Sequence, residues 1–344
     1  MPASDAIARH SGLIGHTGFV GAALARQAGF ARCYNRANIA SIAGESFGTL
    51  VCAAAPGSML TANRAPDEDR ARIEALIAWL EQVRARRFVL VSTIAVLADF
   101  AGGDDEGTSA FQQKLAYGRH RRMLEAFVEH HFARHLIIRL PALFGPGLVK
   151  NFVFDLMNPV PSLIGAERLG DLVARLSPPL AALLARLYAP DPLTGTLRLD
   201  RAALNADPRR RALEEALEAL GASATFFHHP ATTYQYYPVM RLWQDIAIGC
   251  EAGLTHLHLA PEPLSAAAIH ERLLGRPMPP TGARLHREDM RTRHAGLWGA
   301  EGPYQFGADA TLDRLAAFFA GERVPDEARH VEYRVGTRGA PCGL

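Results

Sequence analysis

The sequence predicts an α/β fold: a doubly wound parallel sheet, one edge strand short, with a smaller C-terminal α/β lobe that chooses the substrate. Three observations predict it. Over the first 145 residues short apolar runs alternate with helical patterns, the texture of parallel strands joined by crossover helices. Between the first such run and the first helix stands the glycine-spaced segment Gly15-His16-Thr17-Gly18-Phe19-Val20-Gly21. After Gly145-Pro146-Gly147 prolines become frequent and short aromatic segments alternate with helices. Residues 1–147 are therefore read as a dinucleotide-binding Rossmann domain. Residues 148–344 are read mainly as a substrate-binding lobe, with some segments returning to the first sheet.

The candidate strands are Gly12–Ile14, Ala31–Tyr34, Thr49–Ala53, Phe88–Val91 and Leu136–Ile138. An amphipathic helix lies between the third and fourth, with Ile73, Leu76, Ile77, Leu80 and Val83 on one face. Another precedes the fifth strand, burying Leu124, Phe127 and Val128. Later helical patterns fall near 208–220, 239–252, 265–274 and 310–320. Only about 28 residues separate Gly21 from the third strand, too few for an extra strand–helix unit. The sheet should therefore lack one edge strand on the nucleotide-adenine side.

Composition narrows the function classes. Of 344 residues, 37 are Lys or Arg and 35 are Asp or Glu, a balance that argues against an electrostatic grip on nucleic acid or a membrane surface. The four cysteines, Cys33, Cys52, Cys250 and Cys342, are scattered, which argues against a zinc site or a disulfide framework. Met1–Asp5 lacks the basic and apolar regions of a signal peptide, and no apolar stretch is long enough to span a bilayer, so the expected address is the cytoplasm. His228-His229 is not read as a metal site, because adjacent residues of a strand face opposite ways.

The glycine run carries the first chemistry. Glycines let the chain turn sharply from strand to helix and let backbone approach a pyrophosphate, while the helix N-terminus offers unpaired N–H groups to that anion. An acid that would hold the adenosine ribose is missing: Ala22 to Gly44 contains neither Asp nor Glu, and the second strand ends Tyr34-Asn35-Arg36. Arg36 either accommodates a 2′-phosphate or is a solvated surface charge, so the cofactor is NAD or NADP with a lean toward NADP.

The fourth strand ends in Ser92-Thr93, and 24 residues past Thr93 comes Tyr117-Gly118-Arg119-His120-Arg121, which opens a helix. Further on stands Leu136-Ile-Ile-Arg139-Leu140-Pro141-Ala-Leu-Phe-Gly145-Pro-Gly147. With the glycine run, these segments in this order resemble the extended short-chain dehydrogenase/reductase family, whose members include nucleotide-sugar epimerases, dehydratases and reductases. The likeness covers residues 12–147 and continues faintly through Tyr236-Tyr237-Pro238-Val239 and Leu257–Ala260. It implies that Thr93 (or, less favoured, Ser92), Tyr117 and Arg121 are catalytic. It further implies that the cofactor lies along Gly15–Gly21, Asn35, Arg36, Ala53, Ala54, Ala55, Tyr117, Arg121, Leu140 and Pro141. Arg121 stands where the family has Lys.

Hydride transfer at a carbinol requires a proton to leave or reach the same oxygen. A tyrosine with an ordinary pKa of about 10 is a poor base, and a fixed cation one helical turn away favours its phenolate. Tyr117 and Arg121 are i and i+4, on one face. Arginine keeps the charge but cannot relay a proton. Ile94-Ala95 follow Thr93 where the family's dehydratases carry an acid pair, and Ala95 replaces the cysteine of its ring-flanking epimerases. What remains is oxidation or reduction at one carbinol or keto carbon, as in a reductase or a 4-epimerase.

On the substrate side, Tyr236 is a stacking candidate alongside the core role that aromatic runs commonly have. Arg291 and Arg293 could clamp a diphosphate or belong to a solvated loop. The resemblance implies a nucleotide-sugar substrate and a homodimer. Alternatives are a ketoreductase of a non-sugar carbonyl compound and a dinucleotide-binding sensor without turnover.

Overall fold

The computed structural model describes residues 10–323, and the readings made for Met1–Asp5 and Cys342 lie outside them. Two compact units result. The first takes the chain up to Leu148, Thr233–Leu264 and the chain from Arg287; the second takes Val149–Thr232 and Ser265–His286.

The first unit opens with β1 (Ser11–Ile14), α1 (Phe19–Gln27), β2 (Arg32–Tyr34), β3 (Ser46–Cys52), α2 (Met59–Arg64) and α3 (Pro66–Leu80). It continues through β4 (Arg84–Thr93), α4 (Ala116–His131), β5 (His135–Leu140) and β6 (Ala142–Phe144). The second unit holds α5 (Phe152–Met157), β7 (Leu163–Ile164), α6 (Ala166–Arg175), α7 (Pro178–Leu187), β8 (Tyr188–Asp191), β9 (Thr196–Leu199), α8 (Arg201–Ala206) and α9 (Arg210–Ala219). The chain then returns through β10 (Thr233–Tyr234), β11 (Tyr236–Pro238), α10 (Leu242–Glu251) and β12 (His256–His258). Helix α11 (Ala266–Leu274) falls in the second unit and α12 (Ala308–Arg323) in the first.

Six strands form the main sheet in the order β12-β5-β4-β3-β1-β2, all paired in parallel. It is a Rossmann-like doubly wound sheet with β2 as its edge. No further strand fits there because a tight turn closes directly after β2: Asn38 accepts from the Asn35 N–H at 2.7 Å and donates to the Cys33 carbonyl at 3.0 Å. One 3₁₀ turn, Ile39–Ile42, then leads to β3.

Successive strand residues point to opposite faces, and each face has its own core. Val89, Val91, Leu136 and Ile138 pack with Leu24 of α1 and with Leu242, Trp243 and Ile246 of α10. On the other face Phe88, Leu90 and Ile137 pack with Ile73, Leu76 and Leu80 of α3 and with Leu124 and Val128 of α4. That second face sets α4 against the end of β4. Tyr236–Pro238 (β11) pairs in parallel with Ala142–Phe144 (β6).

In the second unit β8 and β9 form an antiparallel hairpin, turning at Gly195 with φ +61°, and β7 adds to β9. Leu172, Leu183, Leu187, Leu199, Leu213 and Leu217 make its core. Among the described residues no helix is long and apolar enough to cross a membrane.

Candidate active site

The glycine turn joins β1 to α1. Gly15 has φ +91°, and a Cβ there would lie 2.6 Å from the Ala53 carbonyl oxygen. A Cβ on Gly21 would overlap the Gly15 carbonyl, so these two positions require glycine for close backbone approach. Gly18, the N-cap of α1, is different. It is exposed, and a Cβ there would meet only the Gly15 oxygen, at 3.5 Å. Its missing side chain clears space on the outer side of the turn. The first turn of α1 carries no acid, so its N–H groups and partial positive charge face no competing carboxylate. His16 donates from Nδ1 to the Tyr34 carbonyl at 3.0 Å, and Thr17 is exposed, while Phe19 and Val20 are half-buried.

Asn35 and Arg36 follow β2. The Asn35 side chain accepts from the Ala37 N–H at 2.8 Å, and Arg36 is exposed. Ala53, Ala54 and Ala55, all half-buried, leave the end of β3. Leu140 and Pro141 are buried at the end of β5, with Leu140 the register partner of Thr93.

Thr93 ends β4 and caps the next turn, accepting from the Ala95 N–H at 3.2 Å. Tyr117 is the second residue of α4. Its N–H donates to Asn63 Oδ1 at 3.0 Å, and its side chain is hydrogen-bonded to that of Thr93. Gly118 makes the approach possible, because a Cβ there would overlap the Ala95 carbonyl. Ser92, the less favoured hydroxyl, points elsewhere and donates to Glu125 Oε1 at 2.6 Å.

Arg121 lies over the Tyr117 ring, with its guanidinium carbon 4.0 Å from the ring centroid. It donates to Asp69 Oδ2, to the Pro56 carbonyl and, at 3.4 Å, to the Tyr117 carbonyl. His120 also donates from Nδ1 to Asp69 Oδ2, at 2.8 Å. Asp69, His120 and Arg121 are 3 %, 3 % and 2 % exposed. The buried Nε–H of Arg121 has no partner among the described residues.

The phenol is pushed above its ordinary pKa, chiefly by burial. Arg121 and the Thr93 hydrogen bond pull down, and Asp69 pushes up again. The cation is present one turn from the tyrosine, as its spacing predicts, yet burial decides the direction. Asp69, Asn63, Pro56, His120 and Gly118 are absent from the sequence-based site.

A continuous run of contacts results. The glycine turn abuts Ala53, Pro56 beyond it accepts from Arg121, Arg121 covers Tyr117, and Tyr117 reaches Thr93. The substrate-side candidates sit differently. Tyr236 is fully buried, with its ring 5.8 Å from Tyr234 and 6.5 Å from Phe144. Arg291 donates to Asp289 at 2.8 Å and Arg293 pairs with Asp105 at 2.8 Å, so each exposed cation already has a carboxylate.

No family model and no curated protein matches the chain. Solved structures do. It is similar to a dTDP-4-dehydrorhamnose reductase from Bacillus anthracis in complex with NADP, at 13 % identity and TM-score 0.56, over 91 % of this chain and 98 % of that one. It is similar to a UDP-galactose 4-epimerase at 12 % identity and TM-score 0.56, over 91 % and 99 %. A UDP-N-acetylglucosamine 4-epimerase from Methanobrevibacter ruminantium M1 follows at 10 % identity and TM-score 0.57, over 90 % and 97 %. The chain therefore shares the Rossmann-type fold of these reductases and epimerases.

Proposed function

We propose that the protein is an NAD(P)-dependent oxidoreductase or epimerase acting at one carbinol or keto carbon of a nucleotide-activated sugar, with Tyr117 as its acid/base. The observation that carries this reading is the hydrogen-bonded Thr93–Tyr117 pair, linked through Arg121 and Pro56 to the glycine turn. The residues fit a dinucleotide: Gly15–Gly21 supply a turn with an open outer side and an acid-free helix start, and Arg36 stands exposed at the end of β2.

When bound, the nicotinamide supplies or takes the hydride. The chain's own residues handle the oxygen. Thr93 holds the substrate oxygen in line with Tyr117, and Tyr117 gives or takes the proton, a contribution of about 10²–10⁴-fold in rate. Arg121 fixes the ring from one side, and an arginine, which only donates hydrogen bonds, does not relay the proton. The second unit is assigned to the substrate side, and the first to the cofactor.

A second reading, a ketoreductase of a non-sugar carbonyl compound, is favoured by one observation. The cations expected to clamp a diphosphate, Arg291 and Arg293, are already neutralised by Asp289 and Asp105. Thermal-shift screening with NAD(H), NADP(H) and nucleotide sugars, followed by coupled assays on the hits, separates the two. Tyr117→Phe should abolish turnover and leave cofactor binding nearly intact; retained turnover would overturn the site assignment.

A further inference from the structure

Asp69 has no counterpart in the chemistry that the sequence points to, and it lies where that chemistry is decided. It enters from α3, in phase with the buried positions Ile73, Leu76 and Leu80, and places its carboxylate beside α4. There it accepts from both Arg121 and His120 on the single oxygen Oδ2. A carboxylate sealed this far from water is tolerated only when paired and hydrogen-bonded. Arg121, which it pairs with, is the guanidinium that covers the Tyr117 ring.

We propose that Asp69 is a positioning residue: it holds Arg121 over the Tyr117 ring, opposes its charge, and so keeps Tyr117 as a proton donor. The inference rests on the acid/base reading of Tyr117 and gives it a direction. An unopposed guanidinium beside a buried phenol favours the phenolate, the form that takes a proton from an alcohol. With a carboxylate set against that guanidinium, the pull on the phenol is opposed in part and burial prevails. The groups that bear on Tyr117 are Arg121 on its own helix, Asp69 on α3 and the Thr93 hydroxyl at the end of β4. Their sum leaves the phenol raised, and hence protonated at neutral pH.

The step this favours is reduction. A hydride from the reduced nicotinamide adds to the carbonyl carbon, the carbonyl π pair becomes an O–H bond with the Tyr117 proton, and the resulting phenolate is reprotonated from water. The substrate is reduced and the nicotinamide oxidised. Arginine at position 121 needs such a partner: its forked head takes two anchors, Asp69 and the Pro56 carbonyl, which together fix its plane.

The test is the ultraviolet titration of Tyr117, read as the difference between each protein and the same protein carrying Tyr117→Phe. In Asp69→Asn the Arg121 charge is no longer opposed, and the Tyr117 midpoint should fall by about 1 pH unit or more. Arg121→Gln removes the cation while Asp69 keeps His120, and the midpoint should rise. A role confined to folding would not move the two variants in opposite directions. Unchanged midpoints in folded Asp69→Asn protein would overturn the proposal. Should that variant not fold, the absence of a rise in Arg121→Gln would overturn it instead. With an active substrate, the high-pH limb of the reduction rate should move down in step with the Asp69→Asn titration. Opposite shifts without turnover of any carbonyl compound would leave this inference standing and sink the proposed activity, so the two failures are distinct.

Discussion

Glu125 and Arg139 face each other as a sealed fork. Arg139 Nε and Nη2 donate to Glu125 Oε1 and Oε2 at 3.1 and 2.8 Å, and the two residues are 0 % and 1 % exposed. Glu125 lies on α4 at i+8 from Tyr117, so the same helix face that carries the tyrosine is bolted to β5 through Arg139 and to β4 through Ser92. Removing one partner leaves a charge buried and uncompensated. Glu125→Gln should therefore cost about 3–5 kcal/mol in urea unfolding and lower turnover, because α4 loses its register against Thr93. Replacing Glu125 and Arg139 together by apolar residues of similar volume should recover most of the stability. A loss below 1 kcal/mol in the single variant would show that the fork does not hold the helix.

Acid sensitivity should follow from two groups. Burial, with Arg139 adding to it, pushes the His258 imidazole down to about 4 against the opposing pull of Glu106. His258 stays neutral in the fold, donating from Nδ1 to the Arg291 carbonyl at 2.8 Å and accepting from Arg139 at 3.1 Å. An unfolded chain takes up that proton near pH 6.5, so stability is complete above 6.5 and drains away as pH falls toward 4. For Glu129 burial pushes up, but hydrogen bonds from Arg122 and His256 outweigh it and bring the carboxyl down to about 2. Its contribution is present above 4.5 and is lost as pH falls toward 2. Unfolding free energy measured from pH 7 to 3 should thus decline throughout. His258→Gln should flatten the portion between 6.5 and 4 and leave the lower portion. An unchanged slope in that variant would mean that His258 is not the titrating group.

Gly21 in the glycine turn needs its glycine, whereas Gly29, beyond the end of α1, does not. An added methyl at Gly21 falls on the Gly15 carbonyl and the His16 backbone, with no flexible side chain to give way. Gly21→Ala should cost about 1–3 kcal/mol and abolish any thermal shift with NAD(P)H. Gly29, around which a Cβ would meet nothing within 4 Å, should tolerate alanine within about 0.5 kcal/mol and keep the cofactor response. A Gly21→Ala protein as stable and as responsive to cofactor as Gly29→Ala would mean that the turn is not built around close backbone approach.

What the sequence disclosed and what it hid follow from range. Strands β1 to β5 and helices α3 and α4 announce themselves through local periodicity, and the short span between Gly21 and β3 already implies a six-stranded sheet. Thr93, Tyr117 and Arg121 come together because a strand end and a helix start are local features that the sheet necessarily brings side by side. Asp69 escaped notice for a physical reason. With Asp67 and Glu68 it forms an acidic first turn of α3, which reads as dipole stabilisation at a helix start. Its one distinguishing signal is phase, since 69, 73, 76 and 80 share the buried stripe. The carboxylate opposite Arg293 was equally hidden, whereas Asp289 stands only two residues before the Arg291 that it binds. Asp105 is nearly 190 residues away in sequence from Arg293, and no local pattern encodes that pairing.

Cofactor choice should be set at the end of β2. Arg32, the other cation there, is bound by Glu45. Arg36 is exposed and forms no ion pair among the described residues. A guanidinium left free beside the edge strand is suited to a 2′-phosphate, and a charge-assisted hydrogen bond to it contributes about 1.5–3 kcal/mol. Arg36→Ala should therefore weaken NADP(H) binding by about 10-fold or more while leaving NAD(H) within a factor of two. Arg36→Glu should go further and reverse the preference, because a carboxylate repels the phosphate yet can hydrogen-bond ribose hydroxyls. Calorimetric titration of both cofactors into the three proteins gives the ratio directly. A ratio that stays constant across all three would place adenosine recognition away from this edge.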